Sequence, residues 1–105
     1  MPIMVRYAWH DAGTYDKVTK TGGADGSIRF DKELGHGANA GLAFSRSRIA
    51  EFKSQFPSET YADLIQAGGY TAVSYAGGPN MAFRFGRVDA TEKNVAPEGR
   101  LPDAN

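Results

Sequence analysis

Val5-Arg6-Tyr7-Ala8-Trp9-His10-Asp11-Ala12-Gly13-Thr14-Tyr15-Asp16 carries a helical repeat that ends at a glycine. Ile3, Arg6, Tyr7 and His10 recur at i, i+3, i+4 and i+7, while Val5, Ala8, Trp9 and Ala12 fill a second apolar stripe. That pattern predicts a helix over residues 3–12, apolar on most sides and therefore buried. Gly13 supplies its stop. The spacing also puts Arg6, Trp9 and His10 on one helical face. A cation, a large flat ring and a tunable base then share one space. Arginine in a mostly apolar helix is costly unless it has a partner or a task. Spacing alone equally permits plain packing, with Trp9 in the core, His10 hydrogen-bonded and Arg6 snorkelling along its stem.

Outward from this segment, residues 13–30 are rich in Gly, Thr, Asp and Lys and read as a long irregular loop, the kind of segment that usually has a function. Ser27-Ile28-Arg29-Phe30 reads as a short strand or an extended piece. Asp31 to Gly35 reads as one helical turn. A second helix is expected over roughly residues 40–55, opened by Asn39 or Ala40, with Leu42, Ser45, Ile49, Phe52 and Phe56 as its core stripe. Pro57 ends it. A third helix runs from about Thr60 to Tyr75, with Ser58 or Thr60 as its cap and Asp63 placed to favour the helix dipole. Gly68-Gly69 in its middle costs roughly 1 kcal/mol per glycine relative to alanine. Either something packs closely there or that helix is marginal. Residues 80–105 read as an extended tail. The fold class expected is all-α: three main helices with long loops and little or no sheet.

Composition excludes several functions. The 105 residues carry 12 Lys+Arg against 12 Asp+Glu, so the formal net charge is zero. An electrostatically driven nucleic-acid binder needs a basic surplus, as does a polybasic membrane patch. There are no cysteines, which removes disulfides, thiolate metal sites and cysteine nucleophiles. Leu64 to Phe83 is uncharged and long enough to span a bilayer, but its polar residues and the Gly77-Gly78-Pro79 break mark it as a buried helix and its exit turn. The chain is therefore expected not to span a membrane. No secretory leader is read at the start, because Arg6 and His10 interrupt the apolar run.

Asn39 is the second chemical piece. A side-chain amide oxygen can accept from a histidine Nδ1–H and leave Nε2 as the free base. By position alone, Asn39 also suits a helix N-cap.

The segment from Val5 to Asp16 closely resembles the distal helix of intracellular, class I haem peroxidases. The likeness continues in order through Thr19-Lys20-Thr21-Gly22-Gly23 and Gly26-Ser27-Ile28-Arg29-Phe30. It runs on through Glu33-Leu34-Gly35-His36-Gly37-Ala38-Asn39-Ala40-Gly41-Leu42, Tyr61-Ala62-Asp63-Leu64 and Gly86-Arg87-Val88-Asp89. It ends at Pro97-Glu98-Gly99-Arg100-Leu101-Pro102-Asp103-Ala104. Within the class, the His-Gly-Ala-Asn run and Tyr-Ala-Asp-Leu are similar to ascorbate peroxidases. The resemblance implies that residues 1–105 are one partial domain, the distal helical domain of the haem-peroxidase fold, incomplete without the proximal half. It implies haem b as cofactor and hydrogen peroxide and ascorbate as substrates. His10 would take a proton from peroxide and return it to the leaving oxygen. Arg6 would stabilise charge on the breaking O–O bond. Trp9 would pack over the distal haem face with Arg6 beside it. Asn39 would orient His10, with Glu33 as an outer partner. Asp11 sits where secreted relatives bind calcium, but class I members lack that site, so no metal is expected there. Arg84, Arg87 and Arg100 are expected as ion-pair and loop anchors.

The same resemblance marks what is not in these residues. Neither of the two histidines, His10 and His36, falls in the proximal iron-ligand motif, which a peroxidase requires. Gly68-Gly69, Asn80-Met81-Ala82 and Ser45-Arg46-Ser47-Arg48 depart from the family pattern. Three readings follow. The chain is part of an ascorbate peroxidase-like enzyme whose remainder supplies the proximal histidine, the 105 residues alone being inactive. It is a shortened haem-free relative acting as an accessory subunit, its distal face covered by a protein partner. Or it is a split haem-binding module completed by another chain. An intracellular location is implied, without distinguishing cytosol, chloroplast or mitochondrion.

Overall fold

In the computed structural model, which describes residues 2–102, four α-helices pack with irregular connections. They are α1 (Pro2–Ala12), the single turn α2 (Asp31–Leu34), α3 (Ala43–Gln55) and α4 (Tyr61–Tyr75). Short 3₁₀ turns lie at Ser27–Arg29, Gly37–Asn39 and Glu92–Asn94. The described residues contain no β-strand beyond an isolated Asp16–Thr21 bridge. This is the all-α architecture that the sequence led us to expect, with the three main helices in place.

The core is built where α1 crosses α4, with α3 closing one side. Met4, Tyr7 and Ala8 from α1 meet Leu42, Ile49, Ile65 and Ala72, and Ile28 is carried in from the loop. A methyl group on Gly69 would stand 2.7 Å from the Ala8 Cβ, so α1 and α4 touch almost backbone to backbone. Gly68 faces the side-chain tips of Met4 and Ile49. Close packing of α1 on α4 accounts for Gly69, whereas Gly68 lies against side chains that can turn aside.

Four expectations need correction. Helix α1 is not buried all round: Val5 and Trp9 are exposed, Trp9 by 53%, and only the Met4–Tyr7–Ala8–Asp11 side with His10 is enclosed. Ser27–Arg29 is a 3₁₀ turn instead of a strand. Helix α3 starts at Ala43, because Gly41 takes a left-handed conformation at φ +85° that a helix cannot continue through. Asn39 therefore caps nothing and lies in the preceding 3₁₀ turn. Phe56, placed in the α3 core stripe by periodicity, falls just past the last helical residue and is exposed.

The tail is no free tail. Asp89 accepts from the N–H groups of Tyr61 (3.0 Å) and Ala62 (2.8 Å), while Thr60 Oγ1 accepts from Asp63 N–H (3.1 Å). All three open donors of the first turn of α4 are thus satisfied, one pair of them by a residue far along the chain. Asp63 answers in the other direction. Its carboxylate accepts from Gly86 N–H, Arg87 N–H and the Arg87 guanidinium. Arg87 is an ion-pair anchor as expected. Arg100 is a loop anchor, donating to the carbonyls of Thr14 and Thr21. For the Arg84 side chain the described residues show no such partner. Among the described residues no helix is long and apolar enough to cross a membrane. Asp103 and Ala104, the end of the resembling stretch, lie outside the described residues.

Candidate functional site

Arg6, Trp9 and His10 line one cleft of about 440 Å³, floored by the 36–39 turn and roofed by residues 97–102. The one-face placement on α1 is therefore realised. Trp9 and His10 stand edge to face, with ring centroids 4.9 Å apart. Arg6 is fixed by its Nη2, which donates to the carbonyls of Ala38 (3.0 Å) and Ala40 (2.8 Å). No acceptor for its Nε or Nη1 is seen among the described residues. Arg6 thus offers a fixed cation with spare donors at the wall of the cleft.

His10 is buried, and its Nδ1 lies 2.8 Å from Asn39 Oδ1. Which atom carries the proton follows from the next bond. Asn39 Nδ2 donates to the backbone carbonyl of Glu33 at 2.8 Å, and a carbonyl can only accept. The amide is thereby oriented with its oxygen toward His10. Nδ1 must then donate, and in the neutral imidazole Nε2 keeps its lone pair.

Glu33 reaches Asn39 through its main chain. Its carboxyl is turned away, accepting from Ser27 Oγ–H at 2.6 Å and from Ala96 N–H at 3.0 Å. The side chain is fully buried and its Oε2 has no partner. Burial pushes this carboxyl above its usual range, against the pull of those two donors. The contact of Glu33 with Asn39 is thus made by its carbonyl oxygen and not by its carboxyl.

Asp11, directly after His10, is fully buried. Its Oδ2 accepts from Gly26 N–H at 2.9 Å and its Oδ1 from Ile28 N–H at 3.4 Å. Burial raises the carboxyl to about 8 despite these donors, with the charges of Asp25 and Glu33 adding to the rise. No group of three or more metal-ligating side chains occurs among the described residues. His36 lies on the cleft rim, where Gly37 N–H donates to Glu98 at 3.0 Å. The clasps made by Asp11, Ser27 and Glu98 were not foreseen. Only Asp11, an acid next to a helical histidine, left a trace in the sequence.

Along the other flank of Trp9 runs a broader groove of about 750 Å³, mostly apolar, with Val5, Val73 and Tyr75 among its walls. The peroxidase family model matches residues 1–105. The chain belongs to the peroxidase family. Among its relatives, this peroxidase chain is 55% identical over 108 residues to the probable L-ascorbate peroxidase 8, chloroplastic, of Oryza sativa subsp. japonica, covering 98% of the chain and 23% of the relative. L-ascorbate peroxidase 3 of Arabidopsis thaliana is 54% identical over 104 residues, covering 98% of the chain and 35% of the relative. The mitochondrial cytochrome c peroxidase of Aspergillus fumigatus is 48% identical over 105 residues, covering 99% and 29%. The class I, ascorbate peroxidase-like resemblance stands on these matches. The peroxidase chain spans about a quarter to a third of the length of these relatives.

Proposed function

We propose that these residues form the peroxide-handling wall of an ascorbate peroxidase-like enzyme, with hydrogen peroxide as oxidant and ascorbate as electron donor. The observation that carries this is the locked tautomer of His10. Its Nδ1–H is spent on Asn39, itself oriented by the Glu33 carbonyl, so a bare Nε2 is available at a cleft that also holds Arg6. In this reading Nε2 takes a proton from hydrogen peroxide and later returns it to the leaving oxygen, a contribution of about 10²–10⁴-fold. Arg6, held by the Ala38 and Ala40 carbonyls, directs its spare N–H groups at the charge that builds up as the O–O bond breaks.

Haem b fits this face on the residues present. Trp9 presents an exposed flat ring, Val5 continues the apolar surface, and Arg6 supplies a cation beside them. Trp9 and Arg6 would pack against the macrocycle, whose iron supplies the redox chemistry when bound. A histidine ligand to the iron would have to come from other polypeptide, since the second histidine, His36, lines the same cleft as His10. An intracellular site of action belongs to this reading, because the relatives include chloroplastic and mitochondrial enzymes. The exposed apolar groove also favours a second reading, a haem-free accessory subunit whose partner protein covers Val5 and Trp9.

The test is the rate of peroxide consumption by the full-length protein. His10→Ala should lower the peroxide-dependent step by at least about 10²-fold while haem absorbance is retained. An unchanged rate would overturn the assignment of His10.

A further inference from the structure

The hydrogen bonds around His10 close into a ring. Beginning at the histidine, Nδ1–H donates to Asn39 Oδ1, and Asn39 Nδ2–H donates to the Glu33 carbonyl. The Glu33 carboxyl then accepts the Ser27 hydroxyl at 2.6 Å. The residues on either side of Ser27 donate, from Gly26 N–H and Ile28 N–H, to the two oxygens of Asp11. Asp11 is covalently joined to His10. Every side chain in the circuit is buried: His10 is 6% exposed, Asn39 2%, and Glu33, Ser27 and Asp11 0%.

A ring of this kind does more than a chain of the same bonds. Were Asn39 held only by the Glu33 carbonyl, the one-turn helix carrying Glu33 could drift and take the amide with it. Here Ser27 fastens the Glu33 side chain to the 26–28 turn, and Asp11 fastens that turn to the end of α1, where His10 sits. The origin and the end of the circuit are neighbouring residues on one rigid helix. Displacing the Asn39 amide therefore requires breaking a second buried bond, which is costly where no water can replace the partner. Thr14 reinforces the junction: its hydroxyl donates to the Asp11 carbonyl at 3.0 Å and accepts from Gly23 N–H at 3.1 Å.

We propose that Ser27 and Asp11 are positioning residues for His10, acting through Glu33 and Asn39 to keep the proton on Nδ1 and the lone pair on Nε2. The proposal deepens the base role given to His10 above and rests on it for its catalytic meaning. The geometry it asserts is measurable without catalysis. Neither residue touches the cleft, and neither is read as a proton donor or acceptor in the reaction.

The test uses the full-length protein in its haem-free form, with ¹⁵N-labelled histidine. The two nitrogens of a neutral imidazole are distinguished by their ¹⁵N shifts and couplings, so the Nδ1–H to Nε2–H ratio of His10 is read directly. In the parent protein the Nδ1–H form should dominate. In Ser27→Ala the ratio should fall about three- to tenfold, the effect of one weakened hydrogen bond on an equilibrium. Asp11→Asn, which keeps one acceptor and turns a donor toward a backbone N–H, should shift the ratio in the same direction. A core variant outside the ring, Ile49→Val, should lower stability with no change in the ratio. An unchanged His10 ratio in a folded Ser27→Ala protein overturns the proposal and leaves Ser27 and Asp11 as purely structural. Should Asp11→Asn not fold, Ser27→Ala decides alone. Failure of the peroxidase reading would show separately, as absence of a haem spectrum while the tautomer shift persists.

Discussion

Gly68→Ala and Gly69→Ala should move stability in opposite directions, although the two glycines are neighbours in one helix. Either substitution gains about 1 kcal/mol of intrinsic helix preference. What differs is the neighbour that receives the new methyl group. At Gly68 that is Met4 Cε, 3.0 Å from the ideal Cβ position, the far end of a flexible side chain that can turn aside. At Gly69 it is the Ala8 Cβ at 2.7 Å, with the Met4 carbonyl oxygen at 3.5 Å and Val5 Cα at 3.8 Å, all rigidly part of α1. Methyl carbons rest near 3.5–4.0 Å apart, so α1 and α4 must separate by roughly 1 Å. Overpacking of that kind costs about 1–3 kcal/mol, which outweighs the propensity gain. Gly69→Ala should therefore lose up to about 2 kcal/mol net, and up to several degrees of Tm at about 4–8 °C per kcal/mol. Gly68→Ala should be neutral or gain up to about 1 kcal/mol. Urea unfolding of the two variants reads both effects, and Ala8→Gly combined with Gly69→Ala should recover part of the loss. Equal stability of the two single variants would refute the backbone-to-backbone account of the α1–α4 crossing. The consequence reaches the cleft, because the displaced helix is the one that carries Arg6, Trp9 and His10.

Asp89→Ala removes the acceptor for the first two open N–H groups of α4 and should cost about 1–2 kcal/mol, seen as faster amide exchange at Tyr61 and Ala62. Tyr7→Phe deletes a buried hydroxyl that has no partner and should be neutral or stabilising by up to about 1 kcal/mol in thermal unfolding. Asp11 retains its proton to about pH 8 in the folded chain, whereas the unfolded chain releases it near pH 4. The folded state therefore binds the extra proton between those values, and the urea midpoint should fall as pH rises from about 4 to about 8, then level off. Glu33, also raised chiefly by burial, acts with the same sign. In Asp11→Asn the slope should shrink. Asp63 behaves oppositely. Burial pushes its carboxyl up, but Gly86, Arg87 and the Arg87 guanidinium outweigh that and hold it below the usual range. The stability it adds is complete above the unfolded value and lost as pH falls through the folded one, so Asp63→Asn should flatten the acid limb of the same curve.

The three main helices were legible because their apolar residues repeat at helical spacing and their ends carry glycine or proline. Periodicity misjudged α1 for a physical reason. An exposed apolar face has the same pattern as a buried one, so Val5 and Trp9 look like core in sequence and lie at the surface in the fold. The start of α3 was misplaced because the left-handed turn at Gly41 is a backbone event, and a glycine between alanine and leucine does not announce it. Arg6, Trp9 and His10 were singled out by spacing and Asn39 by its amide chemistry, while the roles read for all four came from the resemblance. The Asn39–His10 contact joins positions 29 apart in the chain and no local pattern encodes it. The hydrogen bonds of the 80–102 segment were invisible for the same reason. Asp89 on α4, Ala96 on Glu33 and Glu98 on Gly37 are all long-range bonds to single backbone groups, which leave no periodicity.

The central claim is that this chain supplies one wall of a haem peroxidase site. The most direct measurement is a visible absorption spectrum of the protein isolated from its native source, with intact mass taken on the same sample. A Soret band together with a mass well above 11.3 kDa is the predicted result. It would make Arg6, Trp9 and His10 working groups of a larger enzyme. No Soret band and a mass near 11.3 kDa would contradict the claim and turn attention to the partner that covers Val5 and Trp9.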